Sequence, residues 1–230
     1  MSQSPMQRRV EPVDKFARDV AAGDGELERL ELGVQWVVEL VDGCDHASVS
    51  VIERSGMTTL AASSQTAFDC DQLQYRLGEG PCVETVRTHV TVVSDVLASD
   101  PRWPRWAPSV AEQHGIGSIV SMLLYTRDDA YGALNMYSEQ PHAYTSQDFV
   151  MAHSLAAHLA VAAVAGRQVD QLSLAVVSRT VIGQAEGILI ERFKVTPDGA
   201  FEMLRRRSQN SNRKVVTLAE DLVRTGEWPV

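Results

Sequence analysis

SRTVIGQAEGILIERFKVTPDGAFEMLRRRSQNSNRKVVTLAEDLVRTG, residues 178–226, decides how the chain is organised. With Leu174 and Val177 just before it, Val181, Ala185 and Ile188 recur at three- and four-residue spacing. Ile182, Leu189 and Phe193 widen the stripe, which predicts one amphipathic helix. Thr196 offers a hydroxyl N-cap and Pro197 the fixed φ of a first helical position, so a second helix starts there, carrying Ala200, Phe201, Leu204 and Ser208 inward. Asn210 to Asn212 ends it. A third short helix carries Val215, Val216, Ala219, Leu222 and Val223, and Gly226 stands where an αL cap glycine belongs. Three such helices suffice for a small bundle.

This stretch is basic in an acidic chain. Between Arg179 and Lys214, Arg179, Arg192, Lys194, Arg205, Arg206, Arg207, Arg213 and Lys214 face only Glu186, Glu191, Asp198 and Glu202. A helical wheel points Arg206 away from the apolar face, with Arg205 and Arg207 beside it. The pattern suits a solvated helix face or a phosphate-contacting one. Gly183 and Gly187 lie one turn apart on the first helix, each costing about 1 kcal/mol relative to alanine. Either a tightly crossing helix or a nucleic-acid surface needs that bare strip.

The segments SRTVIGQAEGILIERF, TPDGAFEMLRRRSQNSNRK and AEDLVRTG closely resemble the ANTAR domain, the RNA-binding output module of transcription antiterminators. The resemblance covers about the last quarter of the chain. It implies a three-helix unit that works as a dimer and binds paired RNA hairpins, stabilising them against an overlapping terminator. Carried over position by position, the RNA surface falls on Gln184, Glu186, Arg192, Arg205, Ser208, Asn212 and Lys214. The position between Ala185 and Gly187 is often lysine in that family; Glu186 stands here instead and repels phosphate.

The chain has 230 residues and a formal net charge of -9, with ordinary apolar and charged fractions. Residues 1–169 hold twelve Lys and Arg against twenty-two Asp and Glu, whereas residues 170–230 hold nine against eight. The acidity therefore belongs to the N-terminal part. Cys44, Cys70 and Cys82 are widely spaced without a C-x-x-C pair, which fits a reducing cytoplasm better than a disulfide framework. The start MSQSPMQRRVEP has no apolar signal core, and the most apolar run, Leu155 to Ala165, is expected to be too short to span a bilayer. A cytoplasmic protein without a membrane segment is expected.

From the N-terminus, residues 1–23 read as a loose tail passing into a helix. Gly25 to Val41 gives a helix with Leu27, Leu30, Val34, Val37, Val38 and Val41 at helical intervals. Ala47 to Ile52 alternates as a strand with Ser48 and Ser50 on one face, answered by Thr58 to Ala62 across a turn at Ser55-Gly56. Phe68 to Tyr75 is helical and leads into LGEGPC. Cys82 to His89 forms another helix, followed by a strand over Val90 to Val93. DPRWPRWAP is a proline-rich connection to a helix over Val110 to His114. Strands over Ser118 to Tyr125 and Ala133 to Tyr137 follow, joined by an acidic turn at Asp128-Asp129, and a long helix starts at Ser146. The order predicts an α+β domain, an antiparallel sheet flanked by helices, joined by a long helix to the C-terminal three-helix bundle.

LGEGPCVETV, VSDVLASDPRWPRW, GIGSIVSMLLY and GALNMYSEQPHAYTSQD, in that order, resemble a GAF domain, a small-molecule sensing module. The resemblance divides the chain into a tail to residue 23, a sensor over 24–166 and the RNA-binding unit over 167–230. It places a ligand, or a signalling partner, between sheet and helices, with Ser48, Ser50, Cys82, Asp95, Trp103, Trp106, Ser121 and Asn135 as candidate lining residues. On the residues themselves, Trp103 and Trp106 also suit a cap over a core edge, and Asp95 a turn cap. His153 and His158 are five apart, which does not set both on one helix face as metal ligands. No nucleophile elbow, P-loop, dinucleotide-binding glycine pattern or H-E-x-x-H is present, so neither catalysis nor a cofactor is expected.

No proline interrupts Ser146 to Phe193. Phe149, Leu155, Leu159, Ala162, Val169, Leu172 and Val176 keep approximately heptad spacing, weakened at Gly166. This predicts one helix joining the two parts and a parallel seam with a second copy. The expected whole is a one-component regulator whose sensor controls how a pair of basic bundles grips RNA. A DNA-binding helix-turn-helix regulator and a sensor of protein partners alone are the alternatives.

Overall fold

A computed structural model describes residues 7–53, 56–125 and 130–228, with side chains from residue 12 onward. The chain divides into two compact units between Gln168 and Val169.

The first unit is built on β1 (His46–Glu53), whose alternation decides which layer meets which face. Ala47, Val49 and Val51 enter a core with Leu30, Val34 and Val37 of α2 (Gly25–Leu40) and with Leu155 and Leu159 of α6 (Ser146–Phe193). Ser48 and Ser50 point to the other face. There α3 (Gln65–Leu77), α4 (Pro81–Thr88) and α5 (Trp106–His114) cover the sheet, and Cys70, Trp106, Val110, Ile119 and Tyr137 share a second core. Strands β2 (Gly56–Ala62), β3 (Val92–Ser94), β4 (Ser118–Tyr125) and β5 (Ala130–Ser138) complete a sheet of order β2-β1-β5-β4-β3, antiparallel throughout. Helix layers on both faces explain why β1, β4 and β5 are buried almost end to end.

Several boundaries differ from the sequence reading. Residues 7–22, where a loose tail passing into a helix was expected, are helical throughout as α1 (Gln7–Ala22), because Phe16 and Val20 lie one turn apart and are fully buried in the first core. β3 starts at Val92 rather than Val90, and Val90 is 60% exposed. α5 starts at Trp106, four residues before the expected helix, since its indole ring is buried in the second core. The Asp128-Asp129 turn lies outside the described residues, as does Ser55 of the hairpin turn.

α6 runs unbroken through 48 residues, as the lack of proline predicts. The heptad positions divide between two environments. Leu155 and Leu159 are fully buried, and Phe149 and Ala162 pack against the same core, so these positions serve the first unit itself. Val169, Leu172 and Val176 are exposed, and so are Leu174 and Val177, which the sequence placed on the bundle's apolar stripe. α6 is also long and apolar enough by composition to cross a membrane, one 18-residue window reaching a mean hydropathy of 1.7, of which 39% is buried inside the protein. The apolar run is thus longer than Leu155 to Ala165 suggests.

Two glycines let α2 and α6 touch. A Cβ on Gly33 collides with the Leu159 side chain, and one on Gly166 lies 2.6 Å from the carbonyl oxygen of Gly25. Gly33→Val therefore overpacks this contact and lowers the stability of the first unit by about 1–3 kcal/mol, read as a lower urea midpoint.

In the second unit the rest of α6 packs with α7 (Pro197–Ser211) and α8 (Val215–Thr225). Ala185, Leu189, Ala200, Leu204, Ala219 and Leu222 form its core. The Thr196 hydroxyl caps α7 by accepting from Gly199 N at 3.2 Å, and Asn212 and Gly226 end α7 and α8 with φ of 51° and 70°. Phe201, expected inward, is 43% exposed, because Ala200 and Leu204 already fill the α7 interface.

Candidate functional site

The register of the sheet sets Ser48 of β1 beside Asn135 of β5, and Asn135 beside Ser121 of β4. This row of polar side chains lies under α3, which brings Asp71, Gln74 and Tyr75 at three- and four-residue spacing onto its inner face. Asp71, Gln74, Ser48, Ser50, Ser121 and Asn135 are all fully buried.

The carboxyl of Asp71 is the hub. Its Oδ1 accepts from the hydroxyl of Tyr137 at 2.5 Å and from Asn135 Nδ2 at 3.0 Å; its Oδ2 accepts from Thr59 Oγ1 at 2.9 Å. Asn135 Nδ2 also reaches Ser50 Oγ at 3.0 Å, while its Oδ1 accepts from Ser121 Oγ at 2.7 Å. Tyr75 donates to Ser50 Oγ at 2.6 Å. Gln74 donates to the Tyr137 oxygen at 3.1 Å and accepts from the backbone N–H of Cys82 at 2.8 Å, so the network is tied to the start of α4. No described cationic side chain pairs with Asp71. Burial pushes its carboxyl above the usual range, partly offset by hydrogen bonds led by that from Tyr137. Burial likewise drives the Tyr137 and Tyr75 hydroxyls up, so both remain protonated donors.

Five of the eight candidate ligand residues meet here: Ser48, Ser50, Cys82, Ser121 and Asn135. The tryptophans do not. Trp106 donates its indole N–H to the Cys70 carbonyl at 3.0 Å, and Trp103 donates to Glu84 at 3.1 Å, with the two rings edge to face at 5.9 Å. Both indole donors are spent on the protein, which is the core-edge role. Asp95 is exposed, and its carbonyl accepts from His142 N at 2.8 Å. Sequence reading missed Asp71, Gln74, Tyr75 and Tyr137. The signal was present: three polar residues on one face of α3, and Tyr137 two positions after Asn135 on the same side of β5.

Cys44, Cys70 and Cys82 are buried free thiols, and burial pushes Cys44 and Cys82 up to about 12 and Cys70 higher still. The thiolate is the reactive form. The native protein should therefore leave all three unmodified by a thiol-specific disulfide reagent over minutes and release all three in urea. Rapid modification without denaturant would contradict this environment.

The basic surface of the second unit divides into two places. Ser208, Asn212 and Lys214 gather at the α7–α8 turn, where Asn212 N and Arg213 N both donate to Ser208 O and Ser208 Oγ donates to Arg213 O. Arg205 lies one turn earlier on α7. Arg192 instead donates to Gly226 O at 2.6 Å, past the other end of α8, about 16 Å away along an eleven-residue helix. Gln184 is exposed and Glu186 half-buried on α6. Many cations are already paired: Arg205 and Arg206 with Glu202, Arg213 and Arg224 with Asp221, Lys194 with Glu191. The Arg205 guanidinium, then that of Arg206, holds the Glu202 carboxyl below its usual range. Lys214 enters none of these pairs. α8 begins beside it without a side-chain cap. Added Cβ atoms on Gly183 and Gly187 meet nothing within 4 Å, so no helix among the described residues needs that strip bare.

A helix-covered antiparallel sheet around a buried polar hub is followed by a three-helix unit with a basic turn, and the matches to a sensor and a regulatory output family make the chain a signal-sensing regulator. The chain belongs to the GAF domain family, whose model matches residues 26–163, and it carries an ANTAR domain over residues 170–223. Among solved structures, it is similar to the GAF domain of a phosphoenolpyruvate-protein phosphotransferase from Coxiella burnetii. That match has 15% identity and a TM-score of 0.58, covering 72% of this chain and 98% of that one. The free methionine-R-sulfoxide reductase of Neisseria meningitidis, solved with its substrate, matches at 15% identity and TM-score 0.56, over 73% and 95%. At such identities the likeness concerns the fold alone. No curated protein matches the chain.

Proposed function

We propose that the chain is a one-component cytoplasmic regulator in which a small ligand or signalling protein acts on the first unit, and the second unit binds paired RNA hairpins to control transcription termination. The observation that carries this reading is the ANTAR match over a three-helix unit whose turn exposes Asn212, Arg213 and Lys214 at an uncapped helix start. Phosphates are attracted by Lys214 and by the α8 amides, while Ser208 and Asn212 offer hydrogen bonds to loop bases. Arg205 and Arg192 extend the contact on either side, and Gln184 lies on the open glycine strip of α6. Two copies of the chain present two such surfaces, matching two hairpins.

The signal enters through the Asp71 network. Its polar atoms now satisfy one another, so a ligand that enters has to supply hydrogen bonds equivalent to those it displaces. Asp71, a buried carboxyl without a cation, favours a ligand that donates N–H groups. Ligand binding shifts the equilibrium between arrangements that present or withhold the bundles. Filter binding of the full chain to a two-hairpin leader RNA tests the reading: saturable binding that weakens when either hairpin is deleted is expected, and equal retention of unstructured RNA would overturn it.

A further inference from the structure

Arg205, Arg206 and Arg207 run directly into Ser208, and no other serine or threonine of the chain has arginine at both the third and the second position before it. Ser208 stands in the last turn of α7, which ends at the left-handed Asn212. Its hydroxyl makes an exposed hydrogen bond, donating to Arg213 O at 2.5 Å. The side chains of Arg205 and Arg206 are 54% and 75% exposed. Beyond the turn come Arg213 and Lys214, and α8 then starts with no side chain capping its first amides. The hydroxyl is thus surrounded by the groups that bind a phosphate: arginines ahead of it, cations behind it and a helix start beside it.

We propose that Ser208 is a phosphorylation site, modified by a protein kinase that recognises arginines upstream of its acceptor, and that the phosphate releases RNA from the α7–α8 turn. The inference rests on the RNA-binding reading above and adds a regulator to that surface. Ser208 Oγ attacks the γ-phosphorus of a nucleoside triphosphate held by the kinase. The Oγ–P bond forms as the bond to the bridging oxygen breaks, a nucleoside diphosphate leaves, and the hydroxyl proton passes to the kinase's base. Only three helical residues follow Ser208 in α7, so a small local opening presents it. The phosphate carries about two negative charges and, unlike the hydroxyl, has no proton to give to Arg213 O. It turns to the cations instead. Arg205, one turn earlier on α7, exchanges the single charge of Glu202 for the phosphate, and Lys214 is drawn to it as well. Two cations assigned to RNA phosphates are then neutralised, and the new charge repels the RNA backbone. Ser211 is the internal control: its hydroxyl also sits at this helix end, donating to Arg207 O at 2.8 Å, but Ser208 and Gln209 stand where the two arginines would have to be.

The test treats the full-length protein with an arginine-directed serine/threonine kinase and magnesium ATP, locates phosphate by mass spectrometry, and measures binding to a two-hairpin RNA before and after a phosphatase. Phosphate on Ser208 and a loss of affinity of about tenfold or more are expected, the loss being larger at low salt and reversed by the phosphatase. Ser208→Ala should take no phosphate at that position and keep its own untreated affinity under the kinase. Ser208→Thr, which restores a hydroxyl, should regain both responses. Protein that takes no phosphate on Ser208 overturns the inference, and so does phosphate on Ser208 that leaves RNA affinity unchanged; in both cases RNA binding by the untreated protein still stands. Untreated protein that binds no hairpin RNA fails the reading of the second unit, and this switch falls with it.

Discussion

Asn135→Leu lowers the stability of the first unit by about 3 kcal/mol or more, because several buried groups lose a partner and each costs on the order of 1–3 kcal/mol. Leucine keeps the branched outline of asparagine but is bulkier, so overpacking at this fully buried position adds to the lost hydrogen bonds. Asp71 Oδ1, Ser50 and Ser121 all lose the amide that joins them. Urea unfolding followed by tryptophan fluorescence measures this, since Trp103 and Trp106 both lie in the first unit's second core. A midpoint within error of wild type would contradict the network. Asp71→Asn adds a pH signature. Burial raises the folded-state pKa of Asp71, so its contribution is fully present below the ordinary aspartate pKa and is lost as pH rises through the folded value. The stability of wild type relative to Asp71→Asn should therefore fall as pH is raised from about 4 towards neutrality. A difference that is flat with pH would mean that Asp71 titrates normally.

Lys214→Ala weakens binding of a two-hairpin RNA about tenfold and lowers the slope of log K against log salt by about one, as for a lost phosphate contact. Arg205→Ala has a smaller effect on affinity, because Arg205 must first give up Glu202, whereas Lys214 enters no ion pair among the described residues. Together the two substitutions flatten the salt dependence further. Glu186→Lys removes a charge that opposes phosphate and should strengthen binding severalfold. Affinity unchanged across these variants at several salt concentrations would remove the turn from the RNA surface.

Much of this was legible in the chain. Thr196-Pro197 and Gly226 placed two ends of the bundle helices through capping chemistry, and the alternation of Ala47 to Ile52 separated an apolar face from a serine face before any pairing was known. The strand row that carries Ser48, Ser121 and Asn135 was reachable because family position points there. Asp71 and Tyr137 left a signal in polar spacing on α3 and alternation along β5, but which groups they meet is decided only when α3 packs on the sheet. The first heptad positions of α6 were misread for a similar reason. Leu155, Leu159, Leu172 and Val176 look alike by spacing, yet the first two are claimed by α2 and the sheet, which only the tertiary fold decides. The extent of α1 was missed because proline-bearing, charged sequence hides the single turn, Phe16 to Val20, that anchors it.

The central claim is that the second unit recognises folded RNA as such, and competition binding tests it most directly. Full-length protein bound to a labelled two-hairpin RNA is challenged with unlabelled copies of that RNA, with duplex DNA of equal charge, and with unstructured RNA. The account predicts displacement by the hairpin RNA at far lower concentration than by either other polyanion, and loss of that preference in Lys214→Ala. Equal displacement by all three, or stronger displacement by duplex DNA, would contradict it.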